Sequence, residues 1–266
     1  MNHTLKSMVL TLALALAASA QTPTGSDPLS RLPAGLQVND DGPRTFRFTC
    51  DYFHLDVKGN QGGPTMKLAG EYTRGLPGDK VRWNNVTANG QKREFMEGFS
   101  YRLADRVNTD KTEFFQGFPA MAFQERNLVW DTQMFESFGQ DFFEKLSLNV
   151  PYRMDASTMV LAGWGEFENK NAELTWIGAS RRNGQPCALI DYNAFFNKLS
   201  VKTGGIELTG RSHYWGQIWV SLTTKQIEYA TLYEDVLGEL KLGTQPAPQI
   251  INVFRKGVFE RVAAMQ

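Results

Sequence analysis

Cysteine and histidine are scarce in this 266-residue chain, with two and three copies, and neither charge sign is in excess: 28 Lys and Arg face 28 Asp and Glu. Two cysteines cannot build a Cys-rich zinc module, and three histidines leave little for a multi-His metal centre. A balanced charge argues against nucleic acid, because phosphate contacts draw on a surplus of Lys and Arg. Long apolar runs are missing too. After the first 20 residues no stretch approaches the 18 or so apolar residues that a membrane-spanning helix needs. Nor is there a Gly-x-Ser-x-Gly elbow, a His-Glu-x-x-His helix motif or a Gly-rich phosphate loop, so neither a catalytic residue, a metal nor a cofactor is assigned. What is abundant is apolar and aromatic matter: 42% hydrophobic and 12% aromatic residues, enough to bury a substantial core.

The N-terminus reads as an address. Lys6 precedes an apolar run from Met8 to Ala18 broken only by Thr11, and Ala18-Ser19-Ala20 supplies a small-x-small cleavage pattern. Residues 1–20 are therefore expected to be a signal peptide cleaved after Ala20, giving a periplasmic or secreted protein. Its removal takes away Lys6 and no acid, which leaves a net charge near −1. An oxidising destination favours a disulfide between Cys50 and Cys187, by the chain-entropy argument a gain of about 4–5 kcal/mol. The alternative is two separately buried thiols.

Residues 21–44 hold four Pro and three Gly without an apolar period and read as a flexible segment. A single antiparallel β domain is expected over 45–266, with a helical insertion near 91–155. Strands are predicted over 45–57, 65–74 and 80–88, then over 158–168, 173–182, 187–196, 206–223, 226–237 and 250–262, joined by turns such as Asn183-Gly184. In the first, Phe46, Phe48, Cys50 and Tyr52 share one face. Met134, Phe135, Phe138, Phe142, Phe143 and Leu146 recur at helical spacing, with Asp131 as N-cap and Asn149-Val150-Pro151 as the stop. A second, ambiguous helical stretch lies within Lys92–Arg106. The fold class is mainly β (α+β), an antiparallel meander forming a curved half-barrel or sandwich with one or two covering helices.

In the meander, Tyr214, Ile218, Val220 and Leu222 take one face and Trp215 and Trp219 the other, while Ile227, Tyr229 and Tyr233 oppose Ala230 and Leu232. A sheet apolar on both faces needs cover on each or lines a cavity. The 131–147 helix can cover one face, and a packed two-layer core is the plainer expectation. A concavity between that helix and the sheet, lined by Trp215, Trp219, Tyr229, Phe138 and Phe142, would suit an apolar or amphipathic ligand such as a lipid. His54 and His213, and the carboxylates Glu166, Glu168 and Glu173 beside a turn, read as structural or surface groups.

The unit from Gly178 to Ile190, the strand Gly216-Gln217-Ile218-Trp219-Val220-Ser221, the turn Thr224-Lys225 and the strand Ile227–Tyr233 together resemble the meander of LolA/LppX-like lipoprotein carriers. The likeness covers roughly residues 175–235 and rests on strand order and turn placement. It implies an exported protein whose unclosed barrel shelters acyl chains beneath helices. The helices here sit in the middle of the chain, and no functional residue carries over. The function expected is non-catalytic binding of an apolar or amphipathic ligand; the alternatives are an envelope protein-protein interaction or assembly factor, and a hydrolase with a site of distant carboxylates. No nucleic acid and no integral membrane segment is expected after cleavage.

Overall fold

The computed structural model describes residues 31–56, 58–243 and 247–262. The expected signal peptide and residues 21–30 lie outside them. Strands β1 (Arg44–His54), β2 (Met66–Leu76) and β3 (Lys80–Ala88) are followed by the short β4 (Gln91–Lys92) and β5 (Ser100–Arg102). Helix α1 (Phe123–Glu136) comes next, then β6 (Tyr152–Arg153), β7 (Ser157–Val160), β8 (Gly165–Asn169) and β9 (Glu173–Arg182). The chain ends in four long strands, β10 (Gln185–Thr203), β11 (Ile206–Ser221), β12 (Ile227–Leu242) and β13 (Gln249–Arg261). All belong to one antiparallel sheet that stays open, ordered β4-β3-β2-β1-β13-β12-β11-β10-β8-β7, with β9 also on β10. The fold is thus a curved open sheet with one main helix, and the sandwich does not form.

Alternation builds the inner face. Phe46 and Phe48 of β1, Tyr72 of β2, Tyr192 of β10, Ile218 of β11, Leu232 of β12 and Phe259 of β13 are buried, with exposed or half-buried neighbours between most of them. Helix α1 lies against this face. Phe135 sits 5.8 Å from both Phe48 and Phe259, and Phe138, one turn on, lies 5.5 Å from Tyr192. At Gly139 a β-carbon would come within 3.1 Å of Ile218 and Val220, so helix and sheet meet without an intervening side chain.

Several expectations change. The helix begins at Phe123, eight residues before the supposed N-cap. Asp131 lies inside it and is buried, and a wide π-turn over Ser137–Asp141 follows. Glu125, Arg126, Asp131 and Glu136 are buried, which hid the apolar period on which the boundary was judged. The stretch Lys92–Arg106 forms two 3₁₀ turns, Glu94–Met96 and Leu103–Asn108, around β5. The strand expected over 158–168 is a hairpin, because Ala162 and Gly163 turn with φ of 47° and 82°. Residues 31–44 are not a free segment: Leu32 is buried, the Asn39 amide donates to Thr224 O at 2.9 Å, and Asp40 pairs with Arg74. Cys50 and Cys187 are free thiols and not a disulfide. β13, β12 and β11 lie between their strands, a separation of about 19 Å along the sheet at 4.8 Å per strand. A disulfide tolerates about 7 Å between α-carbons.

Candidate functional site

Two polar networks lie under the helix. In the first, Arg255 of β13 donates from Nη1 and Nη2 to the Asp131 carboxylate at 2.9 and 3.2 Å, and it also pairs with Glu234 of β12. Ser212 Oγ donates to Glu234 Oε1. Burial pushes the Asp131 carboxyl up to about 6, against the pull of Arg255. In the second, Arg74 of β2 donates to Asp40, Glu136 and Gln140, Tyr72 Oη donates to Glu136 at 2.7 Å, and Gln226 Nε2 donates to Asp40 at 2.6 Å. These charges are paired, as buried charge requires, and all but the partly exposed Asp40 are buried. They lock the helix, β2, β12, β13 and the Asn39–Asp40 segment together. Burial also pushes the Cys50 thiol up to about 12 and that of Cys187 to about 11, so neither is a reactive thiolate.

The five expected ligand-lining residues fall into two groups on opposite sides of the sheet. Phe138 packs inside, against Tyr192 and Tyr214, and Phe142 lies at the end of the helical region against Tyr152 and Lys145. Trp215, Trp219 and Tyr229 alternate with buried inner residues and point outward, so a lining shared between helix and sheet does not form. The reason is the contact already described, in which α1 and its π-turn fill the hollow. On the outer face Trp215 stacks with Tyr233 at 5.9 Å, and both meet Phe254 of β13. Trp219 and Tyr229 form a separate pair at 5.1 Å, with the Arg182 guanidinium 3.8 Å over the tyrosine ring. Ile227 turns inward, because the β11 and β12 register shifts between Trp219 and Val220.

Beyond Trp215 the outer face opens into a feature that sequence reasoning missed. In β10 the register on β11 jumps between Ala194 and Asn197, so Phe195 and Phe196 both stand opposite His213. This is a β-bulge, a device that re-aims side chains. Buried Asn197 staples it, its Nδ2 donating to Ala194 O at 3.1 Å and Ser212 O at 3.3 Å. Phe196 adopts φ 62°, a conformation that a bulky residue rarely accepts. Its amide donates to His213 Nδ1 at 3.3 Å, and its ring lies 4.9 Å from the imidazole. Gly210 and Gly238 are paired across β11 and β12, and a β-carbon on Gly210 would lie 2.8 Å from the Gly238 α-carbon.

Phe196, Leu237 and Ile250 surround the resulting open trough of about 880 Å³, with Lys198, Arg211, His213 and Glu239. Phe196 is 62% exposed, Leu237 50% and Ile250 66%. Isolated exposed apolar residues are ordinary, but here three line one trough, with the polar side chains of β11 between Phe196 and Leu237, which makes it the candidate interaction site. The signal in the sequence was Phe195-Phe196, which breaks the alternation of β10. The strand expected over 187–196 stops at that break, whereas β10 continues to Thr203.

Apart from the acid pairs that share Arg255 and Arg74, the carboxylates named here are dispersed. Asp191 accepts from Gln217, Asp141 of the π-turn pairs with Arg106, Glu168 with Lys170 and Glu173 with Arg153, each in a different part of the molecule. Among the described residues no group of His, Cys, Asp and Glu is placed to hold a metal ion, and no helix is long and apolar enough to cross a membrane. The chain matches no protein-family model and no curated protein sequence.

Proposed function

We propose that this is an exported, non-catalytic binding protein for an apolar or amphipathic ligand, and that the ligand sits in the outer trough and not beneath the helix. The observation that carries this reading is the strained Phe196, held exposed by a stapled bulge beside Leu237 and Ile250. Backbone strain persists only where surrounding structure enforces it, and it gathers at binding sites. A trough of this volume is in the range of small-molecule sites. The likeness of residues 175–235 to lipid-sheltering carriers supports the class of ligand, while the filled interior moves its place.

Trp215 follows His213 by two residues on the same face, about 7 Å along the strand, so a bound chain lies within quenching reach. Titration with acyl amphiphiles brominated along the chain should quench tryptophan emission, and native mass spectrometry should show a one-to-one adduct. Replacing Phe196 and Leu237 together by Ser should weaken binding at least about tenfold, the loss of roughly 1.4 kcal/mol. An absent adduct together with unchanged emission would overturn the reading. A stoichiometric envelope protein recovered on the wild-type protein, lost on the double variant and accompanied by no amphiphile binding, would replace it with the protein-docking alternative.

A further inference from the structure

Directly opposite each other on the outer face of β10 and β11 stand Lys198 and Arg211, cross-strand partners in the register. Like charges placed this way repel and destabilise a sheet. Lys198 has only a long ion pair, at 3.9 Å, with Glu168, which Lys170 also holds, and Arg211 has no ion-pair partner among the described residues. Both line the trough, and on the far side of Arg211 follow Leu237, its own cross-strand partner on β12, and Ile250 on β13. Of the lining side chains Glu239 alone is acidic, and it stands one rung away, opposite Thr209. Basic and apolar groups thus lie side by side across one width of the sheet.

Resting on the reading of this trough as a ligand site, we infer that its ligand is an amphiphilic anion, a single acyl chain ending in a carboxylate or phosphate. The anionic head bridges Lys198 and Arg211 and relieves their repulsion, and the chain runs over Leu237 and Ile250 beside Phe196. The guanidinium offers a planar fork matched to an oxyanion, and the ammonium adds a point charge.

Four probes of the full chain test this, each below the concentration at which it forms micelles: dodecanoate, dodecyl phosphate, the uncharged monododecanoyl glycerol and dodecyltrimethylammonium. Both anions should bind about tenfold tighter than the glyceride, the order expected of two exposed charge contacts, and the cation weakest. Added salt should narrow the gap, because exposed charges are screened. Lys198→Gln with Arg211→Gln should bring the anions level with the glyceride. Both residues are exposed, so the fold is expected to tolerate the change. Equal binding of anions and glyceride by the wild-type protein overturns the anionic head and leaves the trough reading standing. No binding of any probe overturns the trough reading itself. Binding to vesicles of anionic phospholipid without binding of monomeric anions overturns the single-chain ligand in favour of a membrane surface.

Discussion

Asp131 sits between opposing demands. Its carboxyl is buried, which favours the neutral acid, yet Arg255 reaches it with two hydrogen bonds and favours the anion. Because Arg255 is shared with Glu234, two acids compete for one guanidinium, and the Asp131 carboxyl ends near 6, above its ordinary value of 3.8. The folded state thus holds this proton more tightly than the unfolded chain does. The stability it contributes is complete below about pH 4 and is lost as the pH rises through 6. Asp131→Asn should remove that slope. In denaturant titrations from pH 4 to 7, wild-type stability should fall relative to the variant by on the order of 1–3 kcal/mol. A wild-type curve that rises with pH relative to the variant would contradict the assignment.

At the scale of elements, α1 and its π-turn depend on Gly139. A leucine there must displace Ile218 and Val220, and overpacking of this kind costs about 1–3 kcal/mol. Gly139→Ala should come close to neutral, because the tight contact is offset by a helix-propensity gain of about 1 kcal/mol. Urea unfolding of both variants, with the leucine midpoint clearly lower, checks the contact. Strands were the legible part of the sequence: Lys80–Ala88 and Glu173–Arg182 fall where alternation and turn residues place them. The helix was half legible, since Phe135 and Phe138 show the period but Glu125, Arg126 and Asp131 point inward and mimic a polar surface or a cap. The outer aromatics Trp215, Trp219 and Tyr229 were recognisable by alternation, but alternation does not say which face a helix will cover. The trough was not legible, because it needs a bulge, a glycine pair and two exposed side chains from β12 and β13 brought together by pairing alone.

For the molecule as a whole, the second network joins parts far apart in the chain. Asp40 accepts from Arg74 and Gln226, tying the residues before β1 to the turn between β11 and β12. Asp40→Ala leaves the Arg74 guanidinium short of partners, and should lower stability by about 1–3 kcal/mol, the penalty of an unsatisfied buried group. Limited proteolysis should then cut within 31–43 sooner than in the wild-type protein. Unchanged cleavage there would show that the clamp is not what holds the segment. The sheet order carries a further consequence for synthesis. β1 has β13, far later in the sequence, as one of its two neighbours, so Phe46 and Phe48 lack Phe259 until β13 is made. Pairings of such long sequence separation are slow to form, because closing the loop precedes any gain from the contact. A nascent chain of this protein therefore exposes the free edges of β1 and β12 together until residues 249–261 emerge, and only then do the two halves of the sheet join.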